Sequence, residues 1–141
     1  TSVAVLALGD MGRSRKAHYF AEQLSSTLAY AQDVAITQPT TVLCQLRNHS
    51  YQFKILRMIA HHDGSISYEW QPLSTLNQET TIPGYLTLSF TDSNVHQIQI
   101  NSNGTMTPFT LRVSIAHENT YYQLTGNAAG VLTMTKKTSD D

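Results

Sequence analysis

The hydrophobic period of this chain changes once along its length, and that change dictates its architecture. Between Ser14 and Thr37 the residues Ala17, Phe20, Ala21, Leu24, Leu28, Ala31 and Ala35 recur at helical spacing. Such spacing gathers them into one apolar stripe on one face of an α-helix. Glu22, Gln23, Gln32 and Asp33 fall outside the stripe. Gln38-Pro39 closes the pattern, because proline has no N–H to donate and its predecessor avoids helical dihedrals. Arg13, Arg15 and Lys16 would begin this helix, where its dipole disfavours cations. A helix that starts further upstream, in the apolar run Val3 to Leu8, removes the conflict.

From residue 40 onward the period is two. Thr41 to Leu46 reads as a strand and Asn48-His49-Ser50 as a turn. Tyr51, Phe53 and Ile55 alternate with polar residues, as do Ile66, Tyr68 and Trp70, then Leu86, Leu88 and Phe90. His96, Ile98 and Ile100 follow, then Phe109, Leu111, Val113 and Ile115, then Tyr122 and Leu124, and finally Leu132 and Met134. Gly-containing turns separate these runs, and the stretch 71–84 is polar and irregular. About eight short strands at such spacing imply antiparallel sheets. The expected fold is therefore α+β, with a long N-terminal helix laid across antiparallel β-sheets and a sandwich-like C-terminal part. The expected divisions are an apolar stub or linker at 1–13, the amphipathic helix at 14–38, a β-rich domain at 39–137 and a polar tail at 138–141.

Composition narrows the function. Charged residues make up only 13% of the 141 residues, against about 25% in a typical domain. Much of the polarity comes from 18 Thr and 13 Ser, which suits strands with one wet face. The formal net charge of −1 lacks the cationic excess of a phosphate-binding chain. Arg47, Lys54 and Arg57 do interleave with Tyr51 and Phe53, but these aromatics share parity with Ile55 and so face the core, which leaves Lys54 on the wet face. No nucleic-acid partner is expected.

No motif announces chemistry. His61-His62-Asp63 lies beside Gly64 and reads as a hairpin tip. Adjacent strand residues point to opposite faces, so the two histidines do not converge on a metal. Cys44, flanked by Val42, Leu43 and Leu46, reads as a buried structural thiol. A single cysteine excludes an internal disulfide. Nucleophile elbows, phosphate loops and paired carboxylates are missing from the sequence. Asn48-His49-Ser50 and Asn103-Gly104-Thr105 match the glycosylation sequon, a pattern common by chance. No catalytic residue, metal ligand or cofactor is expected.

Several segments carry a family resemblance. The helix Ala21 to Ala35 is rich in leucine and alanine, with an acidic residue before a closing alanine. Trp70-Gln71-Pro72-Leu73 precedes a polar loop, and Ile82-Pro83-Gly84-Tyr85-Leu86 begins the next strand. Thr107-Pro108-Phe109-Thr110-Leu111 follows Asn103-Gly104, and Gly130 to Met134 forms a closing strand. In this order the segments resemble the H-type minor pseudopilins of the type II secretion system, within the type IV pilin-like superfamily. The family's cleavage-site Gly, methylated Phe, acidic fifth residue and long apolar helix are not in this sequence, so Thr1 to Gly9 reads as the stub of that helix.

The resemblance implies a non-catalytic structural subunit at or near the tip of a periplasmic pseudopilus. It implies an inner-membrane anchor through the missing helix, with the soluble domain in the periplasm of a Gram-negative bacterium. Its partners would be the major and minor pseudopilins of the same filament, with the secretin or a secreted substrate as further candidates. Two rival readings are a minor pilin of a type IV pilus, some of which bind DNA, and a periplasmic ligand-binding β-sandwich that stacks its ligand on Tyr68, Trp70 and Tyr85.

Overall fold

The structure, a computed structural model, describes residues 2–47, 49–73 and 80–138. Asn48 of the expected turn, the centre of the polar loop at 74–79 and the tail at 139–141 lie outside the described residues.

Helix α1 spans Ser2–Thr37. It begins in the apolar run, so Arg15 and Lys16 occupy interior turns rather than the disfavoured first one. It stops where Pro39 requires: the Gln38 N–H still reaches the Val34 carbonyl at 2.9 Å, and the Thr40 N–H closes onto Ala35 at 3.0 Å. Ala17, Ala21, Leu24, Leu28, Ala31 and Ala35 are buried, Val34 joins them, and Phe20 lies half-buried at the edge. Two alanines on either side of Leu24 and Leu28 keep this face small and let the helix sit close to the strands beneath.

Among the described residues nine strands follow: β1 Val42–Leu46, β2 Ser50–Ala60, β3 Ile66–Pro72, β4 Thr80–Thr81, β5 Leu86–Phe90, β6 Gln97–Ile100, β7 Phe109–Ile115, β8 Thr120–Gly126 and β9 Leu132–Thr138. All pairings between them are antiparallel. The first sheet runs β3-β2-β1-β6, with β4 beside the start of β2, and the second runs β5-β7-β8-β9. The strand beyond the expected set is β4, a two-residue pairing within the stretch that reads as irregular.

Helix α1 contacts β1 and β6 of the first sheet and β7, β8 and β9 of the second, so one stripe seals both. The inner faces are the ones the alternation marks. Tyr51, Phe53 and Ile55 are buried on β2, and Phe109, Leu111, Val113 and Ile115 on β7. Aromatic rings continue the seal from helix to sheet, with Phe20 edge-on to Tyr51 at 5.9 Å and Tyr51 edge-on to Phe53 at 6.0 Å.

Strand β3 departs from this pattern. Its apolar residues Ile66, Tyr68 and Trp70 are exposed. The register explains why. They pair with Ala60, Met58 and Leu56, the parity of β2 that faces away from Tyr51, Phe53 and Ile55. Strand β1 meets β2 only as far as Val42 opposite Ile55. Just before β1, the Thr41 carbonyl takes the Leu56 N–H at 3.0 Å and the Thr40 hydroxyl donates to the Leu56 carbonyl at 2.6 Å. Beyond Leu56, β2 and β3 continue as a two-stranded arm.

Candidate functional site

The arm presents one apolar face and one mixed face, where half-buried Ile59 and Ser67 stand beside Arg57 and Glu69. Met58 and Tyr68 are 62% and 68% exposed, and with Ile66 and Trp70 they form a contiguous apolar surface. Arg57 and Glu69 pair across the other face. The tip is a built turn, as Asp63-Gly64 predicts. Gly64 takes φ +88°, the left-handed region where a Cβ is disfavoured. Asp63 accepts hydrogen bonds from the Ser65 hydroxyl at 2.6 Å and the Ser65 N–H at 2.9 Å. These bonds, the hydroxyl's first, hold the Asp63 carboxyl below its ordinary range. His61 turns to the Ser67 hydroxyl at 2.7 Å.

A second apolar surface lies at the other end of the domain. Tyr19 and Phe20 of α1, Tyr51 of β2, and Pro83 and Tyr85 from the approach to β5 line an open groove of about 380 Å³, with Lys16 at its rim. Tyr19 is 63% exposed there.

Between these two ends the fold is locked by a residue outside the apolar stripe. The Gln32 side-chain amide donates to the carbonyls of Gly104 at 2.7 Å and Gly130 at 3.1 Å. Both glycines end tight turns with positive φ. The spacing places Gln32 outside the apolar stripe, and the sequence signal for its role is the pair of Asn/Gly turns that it joins.

The residues that carry the family resemblance are spread over both sheets. Trp70 and Pro72 are exposed on β3, whereas Leu73 is buried and continues the pairing through its N–H to the Phe53 carbonyl at 3.2 Å. Pro83 is half-buried and Gly84 exposed, and the Pro83 carbonyl receives the Leu86 N–H at 3.0 Å. Half-buried Thr107 takes the Gln99 N–H on its hydroxyl at 3.1 Å, Pro108 is exposed, and Phe109 and Leu111 are core residues. Tyr85 belongs to the groove and Tyr68 and Trp70 to the arm, so these three rings do not form one stacking platform.

Cys44 is fully buried, and burial pushes its thiol up to about 12. That is the reverse of the depressed value a nucleophilic thiolate needs. Among the described residues no three His, Cys, Asp or Glu side chains gather where a metal could sit. Among those residues, too, no helix is long and apolar enough to cross a membrane.

The arrangement, one long helix laid over two antiparallel sheets, is that of pilin-like proteins. Two solved structures share it. The minor pseudopilin EpsH from the type 2 secretion system of Vibrio cholerae superposes with a TM-score of 0.66 at 19% identity, over 84% of this chain and 95% of that one. The type IV minor pilin FimU of Pseudomonas aeruginosa PAO1 gives 0.62 at 20% identity, over 86% and 90%. No curated protein sequence matches the chain. The family model of the type II transport protein GspH matches residues 21–130, and the chain belongs to that family.

Proposed function

We propose that this protein is a minor pseudopilin, a structural subunit at or near the tip of the periplasmic pseudopilus of type II secretion. In this reading it is held at the inner membrane, its β-domain stands in the periplasm, and its partners are other pseudopilins. Its role is mechanical rather than catalytic. The observation that carries the reading is the GspH family match over residues 21–130. That span begins on the buried stripe of α1 and ends at Gly130, the second carbonyl that Gln32 clamps, so it contains the whole helix-to-sheet lock. The likeness to EpsH supports the same assignment.

A subunit of this kind needs a stable domain bearing exposed contact surfaces, and the arm and groove supply them. The test is co-purification of the domain with each of the other minor pseudopilins of its secretion system. Retention of at least one is expected, and failure to retain any would overturn the reading. The likeness to FimU favours a second reading, a minor pilin of a type IV pilus. A gel shift with DNA bears on it: clear binding at moderate salt would move the assignment to the pilus.

A further inference from the structure

Strand β3 lies at one edge of the first sheet, and its register fixes which backbone groups it leaves free. The His61 N–H donates to the Ser65 carbonyl at 2.9 Å, and the Leu73 N–H donates to the Phe53 carbonyl at 3.2 Å. These bonds bracket the β2–β3 ladder, so the odd-numbered residues of β3 direct their N–H and C=O groups to β2. Ile66, Tyr68 and Trp70 direct theirs the other way, and among the described residues no strand pairs with that side. Pro72 has no N–H and ends the free row. The residues with exposed apolar side chains on β3 are therefore the same ones that offer their backbone to the edge.

Other edges of the fold are closed or guarded. At β6, Thr107 takes both groups of Gln99: its N–H reaches the Gln99 carbonyl at 2.9 Å, and its hydroxyl receives the Gln99 N–H at 3.1 Å. Edge strand β9 carries exposed Lys136 and Lys137, charges of the kind that keep edges from pairing. The opposite edge of the arm is short, because Thr40 and Thr41 occupy Leu56 and only Met58 and Ala60 remain. Strand β3 has no lysine, and its proline stands at its last position.

We propose that the free edge of β3 accepts an extended segment of a different protein, added as an antiparallel third strand to the arm. A row of N–H and C=O groups at strand spacing is matched by another extended backbone, the chemistry of strand addition. The side chains define the segment. Ile66, Tyr68 and Trp70 on one face call for apolar residues opposite them. On the other face exposed Glu69 calls for lysine or arginine, which would continue the cross-strand row of alternating charge that Arg57 and Glu69 begin. Read against β3 from Trp70 back to Ile66, the incoming strand is apolar, basic, apolar, polar, apolar. Its addition widens the ribbon from two strands to three, the number at which a sheet with an apolar face becomes stable. The contact is argued from the β3 edge alone and goes beyond the pseudopilin reading. Each copy takes one segment of another protein, so the pairing does not propagate.

The test is an NMR titration of the isotope-labelled chain with the end-capped peptide Val-Lys-Val-Thr-Val. The amide signals of Ile66, Tyr68 and Trp70 should shift together and saturably, and their hydrogen exchange should slow. N-methylation of the peptide's valines removes the N–H groups that face β3 and should weaken binding by at least about tenfold. N-methylation of its lysine and threonine, whose N–H groups face away, should leave binding as it was. Glu69→Lys replaces an exposed side chain, and its thermal melt should match the parent's. It should weaken binding of the lysine peptide about threefold and reverse the preference toward Val-Glu-Val-Thr-Val. No saturable shift up to the solubility limit of the peptide overturns the proposal. So does binding that responds equally to the two methylation patterns, which would mean apolar docking without strand pairing. A parent that dimerises with its β3 amides protected gives the edge to a second copy and overturns it as well. None of these results depends on whether other pseudopilins are retained in co-purification.

Discussion

The Gln32 side-chain amide stands 2.7 Å from the Gly104 carbonyl, and its nitrogen also serves Gly130 at 3.1 Å. One helix residue thereby ties two turns of the β-domain to α1. Gln32→Ala removes the donor and leaves two part-buried carbonyls without it. The expected cost is about 1–3 kcal/mol, the penalty for stranding buried polar groups. Gln32→Glu should cost more at neutral pH, because a carboxylate would face two carbonyl oxygens. Urea denaturation of the two variants, with the midpoint compared at constant slope, checks both statements.

Gly130 and Gly104 are not equivalent. Both have positive φ, +91° and +89°, and a Cβ in that region costs about 1–2 kcal/mol. At Gly104 the new methyl would press on the Ile36 side chain, 3.1 Å away and able to shift, and would meet Gln32 Nε2 only at an ordinary contact distance of 3.7 Å. At Gly130 it would run into both the Gly104 carbonyl oxygen and Gln32 Nε2. Backbone cannot yield so cheaply, and the clamp must open. Gly130→Ala should therefore destabilise the domain clearly more than Gly104→Ala. Equal melting temperatures for the two variants would show that the clamp carries no weight.

Leu24 and Leu28 lie at the centre of the helix stripe, each essentially without solvent exposure. Leu24→Ala and Leu28→Ala should each cost about 2–5 kcal/mol, the usual range for a leucine removed from a packed core. Exposed Asp33 on the same helix gives the control. Asp33→Ala should change stability by no more than about 0.5 kcal/mol. A Leu24→Ala variant that unfolds at the parent's denaturant concentration would remove this residue from the core.

The helix stripe and the inner faces of β2 and β7 were legible because period alone decides which residues share a side. What covers a side is not written in the period. Ile66, Tyr68 and Trp70 show the same alternation as Tyr51, Phe53 and Ile55, yet one set is exposed and the other buried. The difference lies in the register: β1 begins at Val42 opposite Ile55, Thr40 and Thr41 hold only Leu56 beyond it, and from there β2 and β3 run on alone. Gln32 was hidden for a related reason. Its partners are 72 and 98 residues away, and nothing local distinguishes a polar helix residue that faces solvent from one that meets two distant turns. The arm and the groove were legible only as separate aromatic residues; their placement at opposite ends required the fold.

Cys44 offers a pH signature of the packed core. Burial raises its thiol to about 12 in the folded protein, whereas a free cysteine thiol titrates at about 8.5. Below the unfolded value both states hold the proton, and the group adds no pH dependence. Above it the unfolded chain releases the proton while the folded chain keeps it, so the folded state binds more protons and stability falls as pH rises. The slope should approach about 1.4 kcal/mol per pH unit between roughly pH 9 and pH 12. The measurement is a difference between the parent and a variant without the thiol. Denaturation of the parent and of Cys44→Ala, followed from pH 7 to 10.5, should give curves that converge as pH rises. Parallel curves would mean that the thiol ionises as readily inside the fold as outside it. A thiol-specific reagent gives a second readout: the folded protein should react only as fast as it opens, and added urea should accelerate the reaction.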